Sequence, residues 1–290
     1  MVRGSSGYLA ICATPIGNMG DISQRILDEL EVADAIYAED TRVTRKLLAR
    51  FGISTQVKRC DENITNRVIP QMIEEISGGA KIAFVSDAGT PCISDPGQRV
   101  VAAVREAGLD VTVIPGPNAA LTALAGSGFA CKSFYFGGFL PRKAGERERA
   151  LRSLESLDAA LIFYESNHRT HDALRAIAHV FPERRVCMAR ELTKLHEEYL
   201  IGATQEVADS VAERAESLKG EVTIVIEPPS RAGKAVDASC QCEQIAARAE
   251  ELLAEGSAKP SEIAKALASE FGIAKGVAYD IVQELKDSFE

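Results

Sequence analysis

The chain lacks any apolar run approaching the roughly 18 residues that a membrane-spanning helix needs, which excludes a helical membrane protein. Its first residues, MVRGSSG, lack the apolar core of a secretory signal, so a cytoplasmic location with no membrane partner is the expectation. Cysteine is sparse and scattered. There are seven, an odd number, and only Cys240 and Cys242 lie close, without a neighbouring Cys or His pair to complete a metal-ligand spacing. Reduced structural thiols and no metal site follow. Histidine is scarcer, at four; His168 and His171 stand three apart, yet no carboxylate or Cys partner completes a zinc site. A surplus of positive charge is also missing, the formal net charge being −9, and this argues against a generic nucleic-acid binder, which must cluster Lys and Arg against phosphates. No G-x-G-x-x-G follows a strand pattern, so ordinary dinucleotide binding is unsupported. Residues 126–133, GSGFACKS, depart from a phosphate-binding P-loop, because Cys131 replaces the final glycine and the segment follows a helical pattern.

What is present is a chain of 290 residues, 46% apolar, enough for one large or two modest domains with a sizeable core. Apolar runs near Leu9–Cys12, Ala35–Ala38, Ile82–Val85 and Val111–Ile114 alternate with helical patterns. That is the rhythm of a parallel α/β sheet. Beyond residue 120 a second set of strands is expected at Phe134–Phe136, Ala159–Tyr164, Arg185–Ala189, Glu197–Ile201 and Val222–Glu227; the fourth alternates as antiparallel strands do. The expected fold class is α/β. It comprises an N-terminal α/β domain over residues 1–120, a second α/β domain with a mixed sheet over 121–228, and, over 229–290, a linker followed by a small all-helical unit resembling a helix-turn-helix. From Ala235 onward this last unit carries only Arg248, Lys259, Lys265, Lys275 and Lys286 against eleven Asp and Glu, so docking or dimer support suits it better than DNA contact.

The densest feature is the segment Val85–Gly97, VSDAGTPCISDPG, which follows a strand pattern and precedes a helical one. Two more loops share its Gly/Pro/Asn/Asp texture, Ala13–Asp21 (ATPIGNMGD) and Ile114–Ala119 (IPGPNA). Three such strand-to-helix junctions would offer a ligand backbone N–H and C=O groups at the carboxyl edge of a parallel sheet. Taken singly, each is equally a turn with capping aspartates or asparagines. Two clusters are locally basic: Arg42, Arg45 and Lys46, which share one side of a helix, and Arg142, Lys143, Arg147, Arg149 and Arg152 within residues 141–152. A solvated helix face is the plain alternative for both.

The segments TPIGNMGDIS, AEDTR, SDAGTPCISDPG, PGPNAA, FGGFLPRK, FYESNHR and ARELTKLHEE, in unbroken order from about Tyr8 to Glu227, resemble motifs of the tetrapyrrole methylase superfamily, and within it the branch that methylates small-subunit ribosomal RNA. The resemblance implies two α/β domains with S-adenosyl-L-methionine as cofactor. It also implies 2′-O-methylation of a cytidine ribose in the decoding region of 16S ribosomal RNA, within the small ribosomal subunit, by a homodimer. On the matching motifs, the implied cofactor-binding residues are Pro15, Gly17, Asp87, Ala88, Gly89, Thr90, Pro91, Pro117, Asn118 and Ala119, with Ser166 and Asn167 closing the pocket and Asp87 accepting hydrogen bonds from the cofactor. Methyl transfer from a sulfonium chiefly needs alignment, plus a base or cation for the poorly acidic ribose hydroxyl. Asp40, Arg190 and Lys194 are the catalytic candidates, ahead of Arg42, Glu165, Arg169 and Glu191; an interdomain salt bridge or a turn stabiliser is the plainer role for each. A tetrapyrrole or diphthine-type acceptor, and from another class a ligand-sensing DNA-binding regulator, are the alternatives.

Overall fold

A computed structural model describes residues 7–93, 97–214 and 218–229, and, nearer the carboxyl terminus, 245–253, 260–271, 276, 278–279 and 281–283. Contacts divide the chain into two compact units, Met1–Pro229 and Ser230–Glu290. No helix among the described residues is long and apolar enough to cross a membrane.

The larger unit begins with five parallel strands, β1 (Tyr8–Cys12), β2 (Ala35–Ala38), β3 (Val57–Arg59), β4 (Lys81–Val85) and β5 (Asp110–Ile114), in the order β3-β2-β4-β1-β5. Helices α1 (Gln24–Val32), α2 (Thr41–Arg50), α3 (Thr65–Ser77) and α4 (Gly97–Glu106) connect them. Strand side chains alternate between faces, so the run Leu9–Cys12 feeds two cores. Leu9 and Ile11 pack with Met72 and Ile76 of α3 and Val100 and Val104 of α4; Ala10 and Cys12 pack with Ile26 and Leu30 of α1 and Leu48 of α2. Covering both faces explains why the central strands are continuously apolar. Burial of each such Leu or Ile contributes about 1.5–3 kcal/mol.

Polar residues at the junctions start the helices by capping orphan amides. Ser23 accepts from the Ile26 N–H, Asp40 from the Arg42 N–H, and Asn118 from the Leu121 N–H at the start of α5 (Ala119–Ser127).

Strands β6 (Phe134–Phe139), β7 (Ala160–Ser166), β8 (Arg185–Arg190), β9 (Glu198–Ala203) and β10 (Glu221–Ile226) form a second sheet in the order β6-β7-β10-β8-β9. Only β6 and β7 pair in parallel, so this sheet is mixed as expected. Helices α6 (Ala144–Arg152), α7 (Asn167–Val180) and α8 (Thr204–Ala212) supply Leu151, Leu174, Ile177, Val207 and Val211 to the core on one face. The other face receives Ala120 and Ala123 of α5, with Ile16 from the β1–α1 loop and Leu192 from the β8–β9 loop, against Ile162, Cys187 and Val225. This cluster joins the two sheets. It holds the carboxyl edge of the first sheet opposite the start of β10.

In the unit Ser230–Glu290, residues 245–253 and Pro260–Phe271 are helical, and Ile245, Ala249, Ile263, Ala264, Leu267, Ala278 and Val282 form its core. Most of the linker expected at the start of 229–290 lies outside the described residues, as do residues 272–275.

Candidate functional site

The loop after β4 is the hub of the site. Thr14 and Gly89 exchange both backbone hydrogen bonds, at 2.9 and 3.0 Å, tying it to the β1–α1 loop. Thr14 Oγ1 donates to the Ser86 carbonyl at 3.1 Å. The Thr90 hydroxyl donates to the Pro117 carbonyl at 3.0 Å, reaching the β5–α5 loop, and the Asp40 N–H donates to Asp87 Oδ1 at 2.9 Å, reaching the β2–α2 junction. Four strand ends are thus fastened to one loop. Gly89 has φ +78°, and a Cβ there would meet Ile16 Cγ2 at 3.3 Å, so the backbone turns where a side chain would be strained.

The β8–β9 loop closes over this edge. Glu191 and Thr193 adopt φ values of +50° and +66°, uncommon for non-glycine residues, and such conformations persist where the surroundings enforce them. The enforcing contacts are visible. The Asn18 N–H donates to Thr193 Oγ1 at 2.9 Å, and Thr193 N–H to Glu197 Oε2 at 2.5 Å. Glu191 N–H donates to the Glu221 carbonyl at 3.0 Å, while Glu191 Oε1 accepts from Glu221 N–H at 3.0 Å. Lys194 Nζ then bridges Glu191 Oε1 at 2.9 Å and Glu221 Oε2 at 2.8 Å. Partial burial alone would lower the Lys194 pKa; the hydrogen bonds and charges of Glu221 and Glu191 outweigh it and hold the ammonium above the ordinary lysine value.

Two adjoining cavities lie along the hub. The larger, about 390 Å³, falls within the size range of small-molecule sites and is lined by Ala88, Gly89, Thr90, Asn118, Ala119, Ser166 and Asn167, together with Ile93, Phe139, Tyr164, Glu165 and residues 220–223. The smaller, about 230 Å³, is lined by Thr14, Pro15, Gly17, Met19, Val43, Thr44, Leu47, Ser86, Asp87 and Lys194. Ile16, Ala88 and Glu221 line both. In the larger cavity Glu165 has a fully buried side chain, held by the Ser166 N–H and by Arg169, each at 2.8 Å. An open pocket of about 520 Å³ beyond Asp87 is lined chiefly by charged residues, among them Asp40, Arg42, Arg59 and Asp61.

The residues singled out from the sequence therefore divide. Ala88, Gly89, Thr90, Asn118, Ala119, Ser166 and Asn167 meet around the larger cavity. Pro15, Gly17, Asp87 and Lys194 border the smaller one. Pro91 is buried and Pro117 accepts the Thr90 hydrogen bond, so both support the loops from behind. Asp40 caps α2 and receives Arg42 Nη2 at 2.6 Å; side-chain and then backbone hydrogen bonds from Arg42 hold its carboxyl well below the usual range. A carboxylate so stabilised is a weak base. Arg190 is tied within the second sheet, donating to Glu198 Oε2 at 2.9 Å and to the Lys219 carbonyl at 3.0 Å, and lines neither cavity. Sequence reasoning read Val222 and Thr223 only as part of a strand and did not assign residues 220–223 to the site. The one signal in the sequence was a glycine just before the strand, Gly220; the structure shows why it is needed, since its φ is +98° and a Cβ there would lie 2.4 Å from the Glu191 carboxyl.

The basic clusters differ in their exposure. Arg42, Arg45 and Lys46 are exposed on α2, and Arg142 and Lys143, just before α6, and Arg149 on α6 are exposed too. Arg147 is buried, at 6% exposure, because it lies one helical turn from Leu151 on the core face of α6. Arg152 pairs with Glu148 at 2.8 Å and Lys143 with Glu146 at 3.0 Å.

The profile described as Tetrapyrrole (Corrin/Porphyrin) Methylases matches residues 9–208. Ribosomal RNA small subunit methyltransferase I of Halalkalibacterium halodurans is 43% identical over 225 residues, spanning 78% of this chain and 77% of that protein. The protein of the same name from Escherichia coli O157:H7 is 43% identical over 224 residues, spanning 77% of this chain and 78% of that one. Among solved structures, cobalt precorrin-4 methyltransferase superposes with a TM-score of 0.59 at 16% identity, covering 78% of this chain and 97% of its own. The uroporphyrin-III C-methyltransferase of Thermus thermophilus, complexed with S-adenosylhomocysteine, gives 0.54 at 14% identity, over 77% and 97%. These two establish the fold, an α/β architecture of a parallel and a mixed sheet. With the profile spanning most of its length and relatives at this identity, the chain belongs to the tetrapyrrole methylase family, in the branch of ribosomal RNA small subunit methyltransferase I.

Proposed function

We infer that this methyltransferase moves a methyl group from S-adenosyl-L-methionine to the ribose 2′-hydroxyl of a cytidine in the decoding region of 16S ribosomal RNA, within the small ribosomal subunit. The observation that carries the reading is the pair of adjoining cavities along one hub loop, in a chain whose relatives are named as methyltransferases of small-subunit ribosomal RNA. An in-line transfer needs two chambers that meet at one point, one for the donor and one for the nucleophile. The donor, when bound, supplies a methyl group already activated by a positively charged sulfur. Ala88, Gly89, Thr90, Asn118, Ala119, Ser166 and Asn167 would hold it in the larger cavity. That cavity fits such a group, since it offers apolar walls at Ile16, Ile93 and Phe139 and a buried carboxylate, Glu165.

Pro15, Gly17 and Asp87, which the resemblance implies as cofactor contacts, line the smaller cavity with Lys194, and this reading gives them instead to the acceptor side, where Met19, Val43 and Leu47 give an apolar surface for an unstacked nucleotide. The exposed Arg42, Arg45, Lys46, Arg142 and Lys143 would meet the RNA backbone. Alignment of hydroxyl and methyl supplies most of the rate. The reading includes a cytoplasmic homodimer, and sedimentation of the full chain tests its oligomeric state.

The deciding experiment is transfer of labelled methyl from S-adenosylmethionine to 30S subunits lacking the modification, with free 16S RNA in parallel and the product mapped. A 2′-O-methyl group on one decoding-region cytidine is the expected result. Cofactor binding without label on RNA would overturn the acceptor and return attention to a tetrapyrrole or a modified protein.

A further inference from the structure

Of the three residues that line both cavities, Ile16, Ala88 and Glu221, only Glu221 has an ionisable side chain. Its place is built by contacts from several directions. Glu191 grips its backbone N–H and C=O, and Lys194 Nζ fixes carboxylate oxygen Oε2 at 2.8 Å. Gly220, at φ +98°, leaves the room that Glu191 occupies. Among the described residues, the second oxygen, Oε1, accepts no hydrogen bond, and the side chain is 76% exposed. One oxygen is anchored and the other is open.

The neighbouring carboxylates are otherwise engaged. Asp40 is committed to Arg42 and lines neither of these cavities; Asp87 faces only the smaller one and accepts from the Asp40 N–H. Glu165 faces only the larger cavity, buried against Arg169.

We propose that Glu221 is a catalytic base, whose Oε1 takes the proton of the acceptor hydroxyl while Lys194 orients the carboxylate through Oε2 and steadies the charge developing on the acceptor oxygen. The assignment rests on the two-cavity reading of methyl transfer given above. In the step, the hydroxyl oxygen forms the new O–C bond as the S–C bond breaks, and the electron pair of that bond returns to sulfur, leaving a neutral thioether. The O–H electron pair stays on oxygen and the proton passes to Glu221. No further reactant is needed.

The test compares Glu221→Gln and Glu221→Asp with the parent full-length chain, on 30S subunits lacking the modification and with S-adenosylmethionine as donor. Glutamine keeps a carbonyl oxygen for Lys194, so the melting temperature should match the parent. General-base removal should lower kcat by about 10²–10⁴ with unchanged cofactor Kd. Aspartate should restore part of the rate. Parent-like kcat in Glu221→Gln, or a loss confined to cofactor affinity, overturns the assignment while leaving the methyltransferase reading intact. A parent chain that labels no RNA overturns both.

Discussion

Gly17→Ala tests whether the close seat of the β8–β9 loop on the β1–α1 loop sets the geometry of the acceptor side. A methyl group at position 17 would lie 2.5 Å from Lys194 Cγ, 2.8 Å from Thr193 Oγ1 and 2.9 Å from the Leu192 carbonyl oxygen. Carbon contacts are comfortable at about 3.5–4.0 Å, so the loop must retreat by roughly 1 Å. Overpacking of this kind costs about 1–3 kcal/mol. Retreat also stretches the hydrogen bond from the Asn18 N–H to Thr193, now 2.9 Å, which contributes about 0.5–1.5 kcal/mol more. For a unit the size of Met1–Pro229, a loss of about 3 kcal/mol lowers the melting temperature by about 6–12 °C.

The kinetic effect should be larger than the effect on binding. Lys194 moves with the loop, and a misplacement of about 1 Å at a reacting centre costs about 10²-fold in rate. Gly17 does not line the larger cavity, so cofactor affinity measured by calorimetry should stay at the parent value. Thermal denaturation and methyl transfer to 30S subunits are the assays. A parent-like melting temperature together with parent-like kcat would refute the reasoning, since it would mean that the loop does not need this approach.

Asp40 should matter to acid stability: Arg42's hydrogen bonds depress its folded-state pKa, so its contribution is full above the unfolded value near about 3.9 and is lost as pH falls toward the folded one. Asp40→Asn should therefore flatten the decline in urea stability on acidification, and an unchanged decline counts against the pairing. Burial raises the thiols of Cys12 and Cys187 to about 12, so at pH 8 a thiol reagent should leave both unlabelled in the native protein while modifying the exposed Cys131, as peptide mapping will show. Charge reversal at Arg142 and Lys143 should weaken binding to 30S subunits and flatten its dependence on salt, with no change in cofactor affinity. An unaltered salt slope would return these two residues to a solvated face.

Much of the architecture was legible because the responsible physics is local. Central strands such as Ile82–Val85 are buried on both faces and so read as unbroken apolar runs, and the turn chemistry of SDAGTP and PGPNA marks strand ends in any context. The strand Val57–Arg59 was missed because only three residues pair at the sheet edge and two of them are charged. Arg147 read as surface because composition does not say which side of a helix meets the core; its spacing from Leu151 does, once α6 is seated. The sequence by itself therefore determined the strand–helix rhythm, the ligand-loop texture and the family, all of which depend on neighbours a few residues apart. Only the tertiary structure decided which of those loops share a cavity, and that Glu221, an unremarked residue at a strand's start, stands between two of them. Contacts across long sequence separations, Asn18 with Thr193 and Glu191 with Glu221, create that arrangement, and no local pattern encodes them.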